Sequence, residues 1–421
     1  MPETNKGVVP RLRFPEFRDA GPWEVRAIED IAEKIAQGGT PDTTVPEYWN
    51  GEIPWITPAE MGDDALHHYT ERTVRALTKR GLQNSSAELL PAHSVIISSR
   101  APIGYVTINT VPMATNQGCK GIVPKQNIYH EFLYYILLRA KRRLNDLGAG
   151  AGFKEISSLS LKTFKIPLPQ RAEQQKIADC LSSLDELIEL EAKRLDALKA
   201  HKKGLMQQLF PREGETTPRL RFPEFRDAGP WEVKRLGEIG TILKGKGISK
   251  SDISEKGSLP CIRYGELYTH YSEVVRSVRS FTNVDAADLV LSEENDVIIP
   301  ASGETIEDIA TASCVTTKGV ALGGDLNILR SPVNGVFVAY YIRGTLKPAI
   351  AKIAQGISVV HLYPTQLAQL QLGVPHSEEQ QKIADCLSSL DELIELQAKR
   401  LDAIKAHKKG LLQQLFPQEV V

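Results

Sequence analysis

The sequence predicts an α+β protein. It should hold two bodies of similar fold, separated by two long repeated helices that form an antiparallel coiled coil, with pseudo-twofold organisation. Three observations predict it. The segment PRLRFPEFRDAGPWEV occurs unchanged at Pro10–Val25 and Pro218–Val233. A 39-residue segment at Glu173–Pro211 returns at Glu379–Pro417 with three changes: Glu191 becomes Gln397, Leu198 becomes Ile404 and Met206 becomes Leu412. The stretches framed by these repeats, roughly 26–172 and 234–378, share almost no residue identity. A common frame with unlike inserts points to one scaffold presenting two different readers.

In chain order, the expected parts are an N-terminal arm (1–25), a first body (26–172) and a first helix (173–211). A linker with the second arm copy (212–233), a second body (234–378), a second helix (379–417) and a tail (418–421) follow. At 421 residues the chain has room for two to four domains. Its 42% apolar and 24% charged content is that of a soluble globular protein. Net charge is −1, so any nucleic-acid binding must rest on local patches or on a partner's charge. The five cysteines, at 119, 180, 261, 314 and 386, form no CxxC pair and suit neither a zinc site nor a disulfide framework. Reduced thiols and a cytoplasmic location are expected. The N-terminus lacks an apolar signal core, and no apolar run is long enough to span a membrane.

Within the repeated helix, apolar residues recur at steps of four and three: Ile177, Leu181, Leu184, Ile188, Leu195, Leu198, Leu205 and Leu209, with Glu191 and Lys202 completing the seam. That is a heptad pattern. The copy carries Ile383, Leu387, Leu390, Ile394, Gln397, Leu401, Ile404, Lys408, Leu411 and Leu415 in the same register. The first half of the helix is acidic (Asp179, Asp185, Glu186, Glu189, Glu191) and the second basic (Lys193, Arg194, Lys199, Lys202, Lys203). An antiparallel pair sets acid beside base. Matching the polar seam residues suggests a register with Glu191 facing Lys408 and Lys202 facing Gln397. Ser377 and Gln380 have capping-box spacing, and Pro211 and Pro417 stop the helices. Leu187, Leu190, Leu393 and Leu396 fall off the seam and serve either packing against the bodies or docking of another subunit.

Both bodies mix short β-rich runs with Gly/Pro turns. Val95-Ile-Ile-Ser-Ser, Tyr105-Val-Thr-Ile and Gly121-Ile-Val-Pro read as strands, as do Asp296-Val-Ile-Ile-Pro and Leu326-Asn-Ile-Leu. A helix is expected near Tyr129–Leu147 and another near Val336–Gln355. Landmarks recur in order: Gln37-Gly-Gly-Thr40 with Lys244-Gly-Lys-Gly247, Ile53-Pro-Trp-Ile with Leu259-Pro-Cys-Ile, and Ser98-Ser-Arg100 with Ala301-Ser-Gly303.

The frame, with GGTP…PEYW…IPWITPAEM, ATNQG and the long helix after QQKIA, resembles the specificity subunit of type I restriction–modification systems over essentially the whole chain. The resemblance implies that the bodies are target recognition domains, each reading one half of a split DNA target. It implies a non-catalytic subunit whose helices act as spacer and dock two methyltransferase subunits, with two restriction subunits joining later. S-adenosylmethionine, ATP and Mg would then act in those partners, with no cofactor or metal in this chain. Because the bodies differ, the target should be bipartite and asymmetric, at a fixed half-site separation.

Base readout calls for Arg, Lys, Asn or Gln on exposed loops, and phosphate contact for Lys, Arg, Ser or Thr. The candidates in the first body are Thr40, Thr43, Arg100, Asn116, Gln117, Lys120 and Lys154. In the second they are Lys244, Lys246, Ser249, Lys250, Arg263, Tyr264 and Ser302. Solvated surface roles compete with each, and Asn116 before Gly118 also suits a turn. Trp55 is expected in the core, and Trp23 and Trp231 against the scaffold. Gly148-Ala-Gly-Ala-Gly152 follows a helical stretch and lacks phosphate-loop spacing. No Asn/Asp-Pro-Pro-aromatic, PD…ExK or HExxH pattern is present, which argues against a single-chain methylating or cleaving enzyme. A coiled-coil scaffold that binds only proteins is the competing reading.

Overall fold

The apolar runs of each half pair into a five-stranded sheet, and both sheets have the same order. The first orders Ala32–Gln37, Cys119–Pro124, Val95–Ser98, Val106–Asn109 and Tyr69–Thr70; the second orders Thr241–Lys244, Leu326–Arg330, Asp296–Pro300, Ser313–Val315 and Val274–Val275. Only the last pairing is parallel in each. A smaller sheet is built on Trp49–Ile56 in one body and Leu259–Ile262 in the other, with parallel neighbours Ala114–Thr115 and Ala321–Leu322. The unlike inserts therefore share one topology. This computed structural model describes residues 8–62, 68–148, 155–355 and 360–418. It divides into two units, Met1–Arg194 with Gln397–Val421, and Leu195–Leu396.

The long helices run Arg171–Leu209 and Ser377–Gln414. In the first unit, Ile177, Ala178 and Leu181 from the start of one helix meet Leu415 and Phe416 from the end of the other, in a core with Phe132, Tyr134 and Tyr135. In the second, Ile383, Ala384 and Leu387 meet Leu209 and Phe210 around Phe337, Tyr340 and Tyr341. The helices are thus antiparallel within each unit, and every predicted seam position is buried or half-buried. Trp23, Trp55 and Trp231 are all buried.

The register differs from the expected one. Glu191 meets its own repeat equivalent: Gln397 Nε2 donates to the Glu191 backbone oxygen at 3.0 Å and to its carboxylate, while Arg400 Nη2 lies 2.8 Å from Glu191 Oε1. Lys408 is not opposite Glu191 but bonds Asp185, and Lys202 is 2.7 Å from Asp391. The pairing is displaced by about one heptad, which returns a/d positions onto a/d positions and so leaves the seam intact. The capping box is also absent. Ser377 lies inside the second helix, Gln380 Nε2 donates to Pro375 O, and the Glu379 and Gln380 amides converge on His376 O.

A repeated Lys–Asp–Tyr set ties each body to the frame. Tyr135 OH donates to Asp185 at 2.6 Å beside Lys408, and Tyr340 OH donates to Asp391 at 2.5 Å beside Lys202. What surrounds each set differs. The second unit adds Glu273, 2.9 Å from Lys202 Nζ, and Arg343, 3.8 Å from Glu273. The first adds His68, stacked between Tyr69 and Tyr134 with centroids 4.2 and 4.1 Å away, its Nδ1 3.7 Å from Asp185 Oδ2.

Burial, with the Lys408 and His130 charges behind it, pushes the His68 imidazole down to about 3. His68 therefore stays neutral in the native protein where an unfolded histidine, titrating near 6.5, takes up a proton. Its contribution is complete above about pH 6.5, declines as pH falls, and stops declining below about pH 3. The expected loss at pH 5 is about 2 kcal/mol. His68→Phe should flatten this dependence in urea unfolding of the first unit between pH 7 and 5, and an unchanged slope would contradict the assignment.

The cysteines are free thiols, and burial pushes Cys314 up to about 12 and Cys261 up to about 11. Among the described residues no helix is long and apolar enough to cross a membrane, and no His/Cys/Asp/Glu group could hold a metal.

Candidate nucleic-acid interface

Backbone hydrogen bonds bring three loops together at the same place in both bodies. The strand Trp49–Ile56 ends at Thr57, whose amide donates to Glu60 Oε2 at 3.1 Å. The strand Leu259–Ile262 ends at Arg263, whose amide donates to Glu266 Oε2 at 3.0 Å. Asn116 N donates to Ile56 O at 3.0 Å, and Gly323 N to Ile262 O at 2.9 Å. Gly39 N donates to Thr115 O at 2.9 Å, and Lys246 N to Leu322 O at 3.0 Å. These contacts fix equivalences that side-chain identity hides: Thr57 with Arg263, Asn116 with Gly323, Gln117 with Gly324, Thr40 with Gly247. Close packing imposes glycine where the loops cross. A Cβ on Gly38 would sit 1.6 Å from Asn116 O, and one on Gly245 2.0 Å from Gly323 O.

Upon this shared backbone the chemistry diverges. In the first body Thr40 Oγ1 donates to Gln117 Oε1, and both side chains are exposed. Asn116 Oδ1 accepts from Gly118 N at 2.9 Å, the turn role its position suggested. In the second body the glycines leave a groove of about 710 Å³, lined among others by Ser249, Lys250, Arg263 and Tyr264. Gly247 (φ 66°) and Ile248 (φ 58°) are consecutive left-handed residues at its rim. A β-branched side chain holds that conformation at a cost of order 1–3 kcal/mol, a pattern concentrated at functional sites. Here the Ile248 side chain is anchored against Cys261 and Ala321.

The remaining candidates scatter. Lys244 and Lys246 are exposed on the approach to the groove. Thr43 is exposed in the turn where Asp42 accepts from Thr44 N at 2.9 Å. Ser249 Oγ donates to Asp252 Oδ2 at 2.7 Å. Arg100 is exposed, with Nε 3.0 Å from Glu155 Oε2. Lys120 departs from the expected free cation: it is 4% exposed, its Nζ lies 3.3 Å from Ser158 Oγ, and burial lowers its pKa. Ser302 is likewise buried, 3.2 Å from His361 Nδ1. Lys154, and Ala149 to Gly152 of the glycine run, lie outside the described residues.

One landmark match needs shifting. Ser99 N donates to Gly118 O and Ala301 N to Asp325 O, both at 2.8 Å, so Arg100 corresponds to Ser302 and not to Gly303. Thr57 was missed altogether. Extending the match of Ile53-Pro-Trp-Ile and Leu259-Pro-Cys-Ile by one residue sets it against Arg263 and would have found it.

A family model described as the type I restriction modification DNA specificity domain matches the chain twice, over residues 21–200 and 229–406. The type I restriction enzyme MjaIX specificity subunit of Methanocaldococcus jannaschii is 31% identical over 405 residues, 93% of this chain and 92% of its own. Among solved structures, the S subunit of a type I restriction–modification system from M. genitalium aligns with a TM-score of 0.60 at 16% identity, covering 98% of this chain and 100% of its own. A chain from a structure addressing complex assembly and conformational transition of the type I system aligns at 0.57 and 16% identity, over 94% and 98%. At such identities these two likenesses carry the fold alone.

Proposed function

The chain belongs to the type I restriction–modification DNA specificity family, and from that premise we propose how this member works. Each body reads one half of a bipartite, asymmetric double-stranded DNA target, and the paired helices hold the readers at a fixed separation. One observation carries this reading: a single loop scaffold occurs in both bodies, yet the side chains it exposes are unrelated. Identical frame segments do one job twice, whereas equivalent loops with different donors and acceptors suit different base sequences.

Chemistry falls to partners in this proposal. Two methyltransferase subunits, using S-adenosylmethionine to modify adenine N6, dock on the helices, and two restriction subunits supply ATP- and Mg-dependent cleavage. Leu190, Leu393 and Leu396 are 64%, 52% and 62% exposed, and Leu187 is half-buried. Exposed leucines on a soluble helix suit such docking. The setting is the cytoplasm.

The test is methylation sequencing of DNA from cells that express the chain with its methyltransferase subunit. A split asymmetric motif that disappears with this chain is expected. Exchanging residues 26–172 for another such body should rewrite one half-site and leave the other. Rewriting of both halves would refute modular reading, and no motif from an assembled complex would favour a scaffold that binds only proteins.

A further inference from the structure

The three-loop junction is more than a general contact surface, because its two versions present different and specific donor–acceptor sets. In the first body Asn116 is half-buried and its Oδ1 accepts from Gly118 N in its own turn. Gln117 is left as the exposed amide, its Oε1 fixed by the Thr40 hydroxyl. An amide so oriented offers one donor and one acceptor side by side.

In the second body the positions of Thr40, Asn116 and Gln117 are all glycine, and the cleared space is walled by Arg263. Its guanidinium is lightly held. Nη2 is 3.6 Å from Glu266 Oε1, beyond hydrogen-bond length, and Nε has no partner. Glu266 is already engaged by Ser280 Oγ and by the Arg263 amide. The cap on Glu266 fixes the Arg263 backbone; Nε is buried, and the terminal nitrogens, ion-paired with Glu266 only at 3.6 Å, are left to donate outward, since guanidinium nitrogens only donate.

We propose that this junction is a single base-reading subsite with two settings: Gln117 reads an adenine in one half-site, and Arg263 reads a guanine in the other. The proposal rests on the specificity reading above and assigns which residue reads which base. A Gln amide matches adenine N6 and N7, a donor and an acceptor; two guanidinium donors match guanine O6 and N7, both acceptors. Discrimination at each position should be roughly 5- to 150-fold.

The experiment uses the full chain assembled with its methyltransferase subunit and maps methylated motifs for the parent, Arg263→Gln and Gln117→Arg. The expected result is loss or replacement of one guanine in one half-site for Arg263→Gln, and of one adenine in the other half for Gln117→Arg, each leaving the opposite half unchanged. Arg263→Lys, which still offers donors to O6 and N7, should keep the guanine at a reduced rate. Unaltered motifs at parental rates would overturn the proposal. So would loss of methylation by all three variants in intact complexes, since removing one base contact relaxes a motif without erasing it. Failure of the parent complex to methylate any motif would instead bring down the specificity reading itself.

Discussion

Lys202→Met will cost the second unit about 3–5 kcal/mol, whereas Lys408→Met, at the equivalent repeat position, will cost the first unit less near pH 6. Lys202 Nζ joins two carboxylates, Glu273 and Asp391, whose side chains are only 8% and 12% exposed. Without it they repel one another. Arg343, 3.8 Å from Glu273, compensates one of them, and Asp391 retains only the Tyr340 hydroxyl among its side-chain bonds named above. Lys408 serves Asp185, which keeps the Tyr135 hydroxyl and has His68 Nδ1 3.7 Å away. The Lys408 charge is one of the causes holding His68 neutral. Removing it leaves burial, the larger cause, opposed by an Asp185 carboxylate 3.7 Å from Nδ1 that has lost its cation, so a proton drawn onto His68 replaces part of the lost charge. The Lys408→Met cost should therefore be about 2 kcal/mol at pH 6 and approach the Lys202→Met cost above pH 8. Urea unfolding followed by hydrogen exchange in each unit separates the two. Equal costs at pH 6 would remove His68 from this account.

The same comparison shows where the sequence was readable. Every position picked out by heptad spacing is buried or half-buried, and the acidic-to-basic gradient gave the antiparallel sense, because both are properties of one helix viewed alone. Register is a relation between helices. A seam repeating every seven residues admits slips of a whole heptad with little change in apolar matching. Pairing Glu191 with Lys408 was one such slip. What selects the observed register includes the tyrosine each body supplies, Tyr135 to Asp185 and Tyr340 to Asp391. Asp185 and Asp391 lie off the seam, and nothing in their spacing announces a partner fifty residues upstream.

The loop junction was legible in part for a similar reason. Lys250, Arg263 and Tyr264 were singled out by residue type, Lys250 on a Gly-rich loop, and they line one groove. Thr57, the counterpart of Arg263 across the repeat, was passed over because its side chain is ordinary; extending the landmark match by one residue reaches it, and the shared amide-to-carboxylate cap at Glu60 and Glu266 marks the position in the fold. Lys120 was misjudged because a strand lysine reads as exposed unless both neighbouring strands are known; it lies between Gln37 and Ile97 in the sheet.

Arg221→Ala will destabilise the second unit by about 3–5 kcal/mol, and by roughly 1–2 kcal/mol more than Arg13→Ala destabilises the first. Each arginine belongs to the identical arm repeat and holds the first turn of a long helix. Arg13 donates from Nε and Nη2 to Glu173, both at 2.7 Å, and Arg221 does the same to Glu379. Each also donates from Nη1 to a glycine carbonyl at 2.6 Å, Gly21 or Gly229, residues with φ 75° and 74° that turn the arm back. Both glutamate side chains are 1% exposed, so truncating the arginine strands a carboxylate away from water, which is the costly way to break a buried pair. The arm also ties down the opposite helix end: Leu12 N donates to Gln414 O, and Leu220 N to Gln208 O, both at 2.9 Å. Losing the arm thus loosens two helix ends at once. The expected inequality comes from the neighbouring tryptophans. Trp23 Nε1 donates to Glu173 at 3.2 Å, whereas Trp231 Nε1 has no partner. After truncation, Glu173 keeps one charge-assisted bond that Glu379 lacks. Arg221→Lys should recover only part of the loss, because one ammonium cannot reproduce the two-pronged contact. Arg221→Met with Glu379→Leu should recover most of it, because no stranded charge remains. If Arg221→Ala and the double replacement lose equal stability in chemical unfolding, the pair acts through packing alone and the electrostatic account of the clamp is wrong.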